Sequence, residues 1–262
     1  MHRTVALAAF ALLASPAAAQ ENCKLVPLGT GEVAAVRDGR TLALTDGREI
    51  RLAGIEVSET TSGALQQVIG GRPVRLEGLN ADPDRYGRLV AFVFAGDDRQ
   101  SVQQQLLAQG QARVAARVGS KPCADALLAA EREGRSERRG RWADPNFAPL
   151  SPENHVRLRA DQGLFTIIEG KVLSVRESGS TIYVNFGKRF TRDFSVIILR
   201  RDQRIFKDAG LEPKRLEGRR IRVRGVLEQR RGPVIEADRP EQIEFADDGK
   251  TDDMTQAHEM RR

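Results

Sequence analysis

From residue 31 onward, apolar and polar positions alternate with a period of two. Gly31 to Val36 is apolar and extended, Leu42 and Leu44 alternate with polar neighbours, and Ile50, Leu52 and Ile55 resume after Asp46-Gly47. The pattern predicts a strand, a strand, a two-residue turn and a strand. Asp-Gly between alternating runs suits a type I′ hairpin, in which both turn residues take positive φ. With Ile50 and Leu52 facing a core, Arg51 must point the other way. Glu56 to Glu59 follow where the chain enters a helical stretch, Ser62 to Ile69, so Arg51, Glu56 and Glu59 can converge. Farther on, Asp84-Arg85-Tyr86-Gly87-Arg88 runs straight into a buried strand, Leu89 to Phe94. Val102 to Val114 reads as a helical run broken at Gln109-Gly110, and the last helix of this half is expected to start near Cys123 and close at Trp142.

Asp144 to Gly163, with Pro145, Pro149 and Pro152 and little apolar periodicity, predicts a linker. Beyond it, Phe165 to Val175, Thr181 to Phe186 and Phe194 to Leu199 read as strands and Arg201 to Ala209 as a short helix. Arg219 to Gln229 and Val234 to Phe245 then read as a hairpin around Arg231-Gly232. Three strands, a helix and two strands is the order of an OB-fold barrel. The first half reads as an OB-like barrel too, elaborated by helices. The fold class expected is mainly β, with two OB-fold-like barrels in tandem.

The ends of the chain add context. Arg3, the apolar run Val5 to Ala14 and Ala17-Ala18-Ala19 have the layout of a secretory signal peptide, too short to span a bilayer. The divisions expected are a signal at 1–19, a lead-in at 20–30, the first domain at 31–145, a linker at 146–163, a second domain at 164–246 and a disordered tail at 247–262. No later stretch approaches transmembrane length, so the mature protein is expected to be periplasmic or secreted. In an oxidising compartment Cys23 and Cys123 are expected to form one disulfide, the alternative being two buried thiols. Charge is unevenly placed: Lys and Arg against Asp and Glu number 17 to 16 in residues 31–145, 18 to 12 in 165–245, and 3 to 5 in the tail. The basic character belongs to the second half.

Arg51-Leu52 leading to Glu56 and Glu59, then Asp84-Arg85-Tyr86-Gly87-Arg88, the run Val102 to Val114 and finally Glu131 to Trp142 resemble the staphylococcal nuclease (thermonuclease) family in order and spacing, over residues 31 to 145. The resemblance implies a staphylococcal-nuclease-like first barrel, with two phosphate-gripping arginines at Arg51 and Arg88 and a catalytic glutamate, the general base, at Glu59. It also implies a calcium site formed by two aspartates and a threonine carbonyl; those positions are Arg40, Glu56 and Val57 here. A hard cation needs several oxygen ligands, and one carboxylate has become a guanidinium. Calcium is therefore not expected to bind as in the family, unless Asp38 swings in with Glu56 as a replacement pair. No other cofactor is called for.

In the second half Arg220, Arg222 and Arg224 alternate with Ile221 and Val223. The stripe could track a phosphate backbone, with stacking from Tyr183, Phe186, Phe190 or Phe194; equally, it could be a charged face shown to water and neutralised by Glu217, Glu228 and Glu236. His2, His155 and His258 are isolated and support no histidine-based site. Arg132, Arg135, Arg138, Arg139 and Arg141, mixed with Glu131, Glu133 and Glu137, read as a solvated helix face. Three functions fit. The first is a phosphodiester binder of DNA or RNA with weak or lost hydrolysis; the second is an active metal-dependent nuclease; the third is a non-catalytic cell-envelope interaction module.

Overall fold

The computed structural model describes residues 23–246. The expected signal peptide and disordered tail lie outside those residues. The first half is built from β1 (Val26–Gly31), β2 (Val33–Asp38), β3 (Thr41–Leu44), β4 (Glu49–Leu52), β5 (Ile55–Val57), α1 (Thr61–Ile69), β6 (Val74–Gly78), β7 (Leu89–Ala95), α2 (Val102–Ala108), β8 (Ala112–Val114) and α3 (Lys121–Ser136). Alternation makes the barrel: Leu42, Leu44, Ile50, Leu52, Leu76 and Val93 turn inward and are buried. The six-stranded sheet runs β1-β6-β7-β4-β3-β2, with β4 and β7 parallel. Because β1 leads directly into β2 through Glu32, the two edges of that sheet are one bent strand, and the sheet closes on itself.

Several sequence expectations are corrected. The 20–30 lead-in contains a strand that the sequence reading did not identify, since Val26–Gly31 pairs with β6. The Asp46-Gly47 turn is not type I′: Gly47 has φ 88° while Asp46 does not take positive φ. The Leu44 N–H donates to the Arg48 carbonyl and the Gly47 N–H to the Leu44 carbonyl, which is a three-residue loop with glycine in the left-handed position. Val102 to Val114 is a helix only to Ala108. Ala112–Val114 is a strand paired with β5, a contact between distant segments that helical periodicity cannot reveal.

Cys23 and Cys123 are bonded. The bridge fixes the segment before β1 to the first turn of α3, and closing a loop of this length is worth about 4.7 kcal/mol in the chain-entropy account.

The 146–163 segment is also more than a linker. It carries α4 (His155–Ala160), and Leu150 and Leu158 are buried in the second core. The second half continues with β9 (Phe165–Lys171), β10 (Ser174–Ser178), β11 (Thr181–Asn185), β12 (Ser195–Leu199), α5 (Gln203–Asp208), β13 (Arg220–Val226), β14 (Glu228–Gln229), β15 (Pro233–Glu236) and β16 (Ile243–Phe245). As in the first half, three consecutive antiparallel strands lead to a parallel pair, but the strands are divided between two sheets. β10, β11, β12, β15 and β14 form one sheet with β12 and β15 parallel, and β13 returns to pair with β9. Where the halves meet, Trp142, Phe147 and Ile167 form a small buried cluster. Among the described residues no helix is long and apolar enough to cross a membrane.

Candidate functional site

Arg51 projects from β4 between its register partners Thr41 on β3 and Val90 on β7. Its neighbours Ile50 and Leu52 are buried on the opposite side, as alternation requires. Burial holds its pKa below the ordinary guanidinium value, with the charges of Arg40 and Arg88 adding to the effect and those of Glu56 and Asp38 opposing it. Arg51 thus sits among two cations and two carboxylates, and it remains charged at neutral pH. No carboxylate among the described residues forms an ion pair with it.

Arg40 lies in the tight turn between β2 and β3. Its carbonyl accepts from the Leu52 N–H at 2.8 Å, and its own N–H donates to Asp38 Oδ1 at 2.8 Å. Gly39 permits the turn to close on the segment that carries Glu59: a Cβ there would meet the Ser58 carbonyl and Thr61 Cβ, each at 2.9 Å. From this position the Arg40 guanidinium donates through Nη1 to Glu56 Oε2 at 2.8 Å, both side chains being about one-third exposed. Asp38 caps its own turn and does not join Glu56 as a pair of cation ligands. Among the described residues no group of three or more His, Cys, Asp or Glu is placed to hold a metal ion.

Arg88 is held by the loop that precedes β7. Asp84 Oδ2 accepts from Arg88 Nε at 2.9 Å and Nη2 at 2.7 Å, while Asp84 Oδ1 accepts the N–H groups of Tyr86 and Arg88. The hydrogen bonds from Arg88, more than offsetting partial desolvation, and those two backbone N–H groups pull the Asp84 pKa down to about 2. Gly87, at φ 80°, closes the turn. This grip leaves Nη1 of Arg88 without a hydrogen-bond partner among the described residues. The two guanidinium groups of Arg85 and Arg88 flank the exposed Tyr86 ring at 4.7 and 5.0 Å from its centroid.

Glu59 lies in an exposed turn before α1, and its carboxylate has no hydrogen-bond partner among the described residues. The structure therefore gathers Arg40, Arg51, Glu56 and Arg88, and leaves Glu59 beside them on the surface. A cleft of about 520 Å³ lined by Asp46, Arg48, Glu49, Tyr86 and Leu89 lies nearby. It includes none of Arg40, Arg51, Glu59 or Arg88.

The arginine stripe of β13 does not act as one surface. Arg220 and Arg222 both donate through Nε to Glu169, at 2.8 and 2.6 Å. Arg224, expected in the same row, is fully buried and binds Glu131 and Glu244. The face assignment by alternation holds, but α3 of the first half covers its far end. Glu131 and Arg135 are accordingly inside, not on a solvated face. Sequence reasoning missed the part Asp84 plays in holding Arg88, although an aspartate four residues before an arginine with glycine between was available as a signal.

Residues 58–144 match the family described as Staphylococcal nuclease homologue. The matched stretch contains Glu59 and Arg88 and ends before the second half; Arg40, Arg51 and Glu56 precede it. No curated protein matches the chain.

Proposed function

We propose, from a staphylococcal nuclease homologue domain at residues 58–144, that this is an exported protein that grips phosphodiesters of DNA or RNA and hydrolyses them weakly or not at all. The Arg40–Glu56 ion pair carries this reading. The resemblance described above implies a calcium-binding carboxylate pair at these positions. The residues present do not fit a hard divalent cation, which needs several converging oxygens. Two unit charges about 4 Å apart interact by roughly 4 kcal/mol at an effective dielectric near 20. A guanidinium here would repel a cation by about as much as the missing carboxylate would attract it.

The remaining groups support binding. Arg51 and Arg88 are like charges close enough to depress the Arg51 pKa, and an anion between them relieves that repulsion. A phosphodiester would meet Nη1 of Arg88 and the guanidinium of Arg51, with Tyr86 exposed alongside. Glu59 could accept a proton from water, but its carboxylate has no hydrogen-bond partner among the described residues to fix it for that role. Binding should outlast turnover. Export is supported by the pattern of residues 1–19 and by the Cys23–Cys123 bridge. The strand pairings of residues 164–246 support an OB-type second barrel.

The test uses a fluorescent dinucleotide phosphodiester, which is too short to bridge two sites. Arg51→Ala and Arg88→Ala should each weaken its binding at least about tenfold, the worth of one charge-assisted hydrogen bond, and calcium should not stimulate cleavage of DNA or RNA over EDTA. Efficient calcium-dependent cleavage, or dinucleotide binding indifferent to both substitutions, overturns the reading.

A further inference from the structure

Apart from that site, the loop joining β11 to β12 holds an aromatic ring out in solvent among cations. Phe190 is 64% exposed, in the run Gly187-Lys188-Arg189-Phe190-Thr191-Arg192-Asp193. The loop is constrained. The Arg189 N–H donates to Asp193 Oδ2 at 2.8 Å, and the N–H groups of Arg192 and Asp193 donate to the Arg189 carbonyl at 2.9 and 2.7 Å. Two glycines permit this closure. A Cβ on Gly187 would meet Asp193 Oδ2 at 2.2 Å, and one on Gly232 would meet the Phe190 carbonyl at 2.4 Å. The second contact seats the Arg231-Gly232 turn against the loop.

We propose that this loop is a contact surface for single-stranded nucleic acid, with Phe190 stacking on a base and Lys188, Arg189, Arg192 and Arg231 meeting the phosphates. The proposal takes its ligand class from the function proposed above but uses none of the same residues. The loop's ordered backbone holds the Phe190 ring in place without burying it, which leaves the ring preorganised for an outside partner. Arg192 lies 3.4 Å from Asp193. Lys188, Arg189 and Arg231 have no ion-pair partner among the described residues and are available to an anion. On β11, the strand that leads into the loop, the half-buried Tyr183 lies on the side opposite Ile182 and Val184, which are in the core. A cationic surface with aromatic platforms is the chemistry that binds single strands with little regard to sequence. A duplex presents no free base face to Phe190. A membrane surface is disfavoured because the loop offers one apolar side chain among cations, where interfacial binding rests on a broad apolar face.

The experiment uses the full chain, fluorescein-labelled dT20 and vesicles containing phosphatidylglycerol. Phe190→Ala should weaken dT20 binding about tenfold, in keeping with the loss of one stacked base. Lys188→Ala with Arg189→Ala should reduce the slope of log affinity against log salt by about 1.4, for two single-strand phosphate contacts. Phe190→Trp should retain binding, and dT20 should quench its new indole, while wild type, whose single Trp142 is buried, shows little quenching. Unchanged affinity in Phe190→Ala, an unquenched indole at saturating dT20, or vesicle binding lost in Phe190→Ala while dT20 binding is kept would overturn the proposal. Adding Arg51→Ala and Arg88→Ala to the Phe190→Trp variant separates the two sites. Quenching kept in that background supports the loop whatever the fate of the dinucleotide, and quenching lost there overturns it.

Discussion

The guanidinium of Arg224 is fully buried against the carboxylate of Glu131, with Nη1–Oε2 at 2.9 Å and Nη2–Oε1 at 3.1 Å, joining β13 of the second half to α3 of the first. Glu244 and Arg135 complete the group. Burial would raise the pKa of Glu131, but the Arg224 charge and hydrogen bonds, the Arg135 charge and the Val114 N–H hold it below the ordinary carboxylate value. Glu131 is also linked to the strand that carries Glu56. Its Oε2 accepts the Val114 N–H at 2.5 Å, and the strand containing Val114 pairs with the one that presents Glu56.

Removing one member of such a group leaves a buried charge unanswered. Arg224→Met is expected to destabilise the protein by about 3–5 kcal/mol, and adding Glu244→Gln, which leaves Arg135 paired with Glu131, should recover part of that loss. Arg220→Ala, on the exposed end of the same strand, should cost less than about 1 kcal/mol. Urea unfolding at neutral pH checks all three. Arg224→Met within 1 kcal/mol of wild type would mean that the halves are not held together by this group.

How far the sequence could be read depended on the range of the forces involved. Alternation at Leu42, Leu44, Ile50 and Leu52 identified strands and the outward face of Arg51, because a pleated strand has no other way to bury those side chains. The same rule placed Arg220, Arg222 and Arg224 in a row but could not say that α3 covers one end. That depends on how two halves pack, and the charged run from Glu131 to Arg141 looks solvated until its partner is known. Ala112–Val114 looked helical because its strand partner, β5, lies far away in sequence. At the site, Arg40 stood out only against the pattern of the family it resembles, which implies an aspartate there. Asp84 was overlooked because its part is to hold Arg88, a geometric relation that composition does not encode.

The Asp84 carboxylate should respond to acid in a defined window. Its pKa is depressed to about 2 in the folded protein, below the unfolded value. Its contribution to stability is therefore complete above about pH 4 and is lost as pH falls toward 2. The stability gap between wild type and Asp84→Asn should accordingly shrink as pH falls through that range. Unfolding midpoints measured across it check this, and a gap independent of pH would show that Asp84 is not paired with Arg88 in solution.

The central claim is that Arg40 stands in the place of a cation and is neutralised by Glu56. Calcium titration by calorimetry, on wild type and on the Arg40→Asp, Glu56→Asp double variant, tests it most directly. Wild type should show no calcium binding at this site. The double variant, folded by circular dichroism, should acquire it, because the substitutions recreate a carboxylate pair beside Arg51 and Arg88. Arg40→Asp alone should lose stability, since it sets two acids against each other without a counter-charge. Tight calcium binding by wild type that is abolished by Glu56→Ala, or a folded double variant that binds no calcium, would contradict the account.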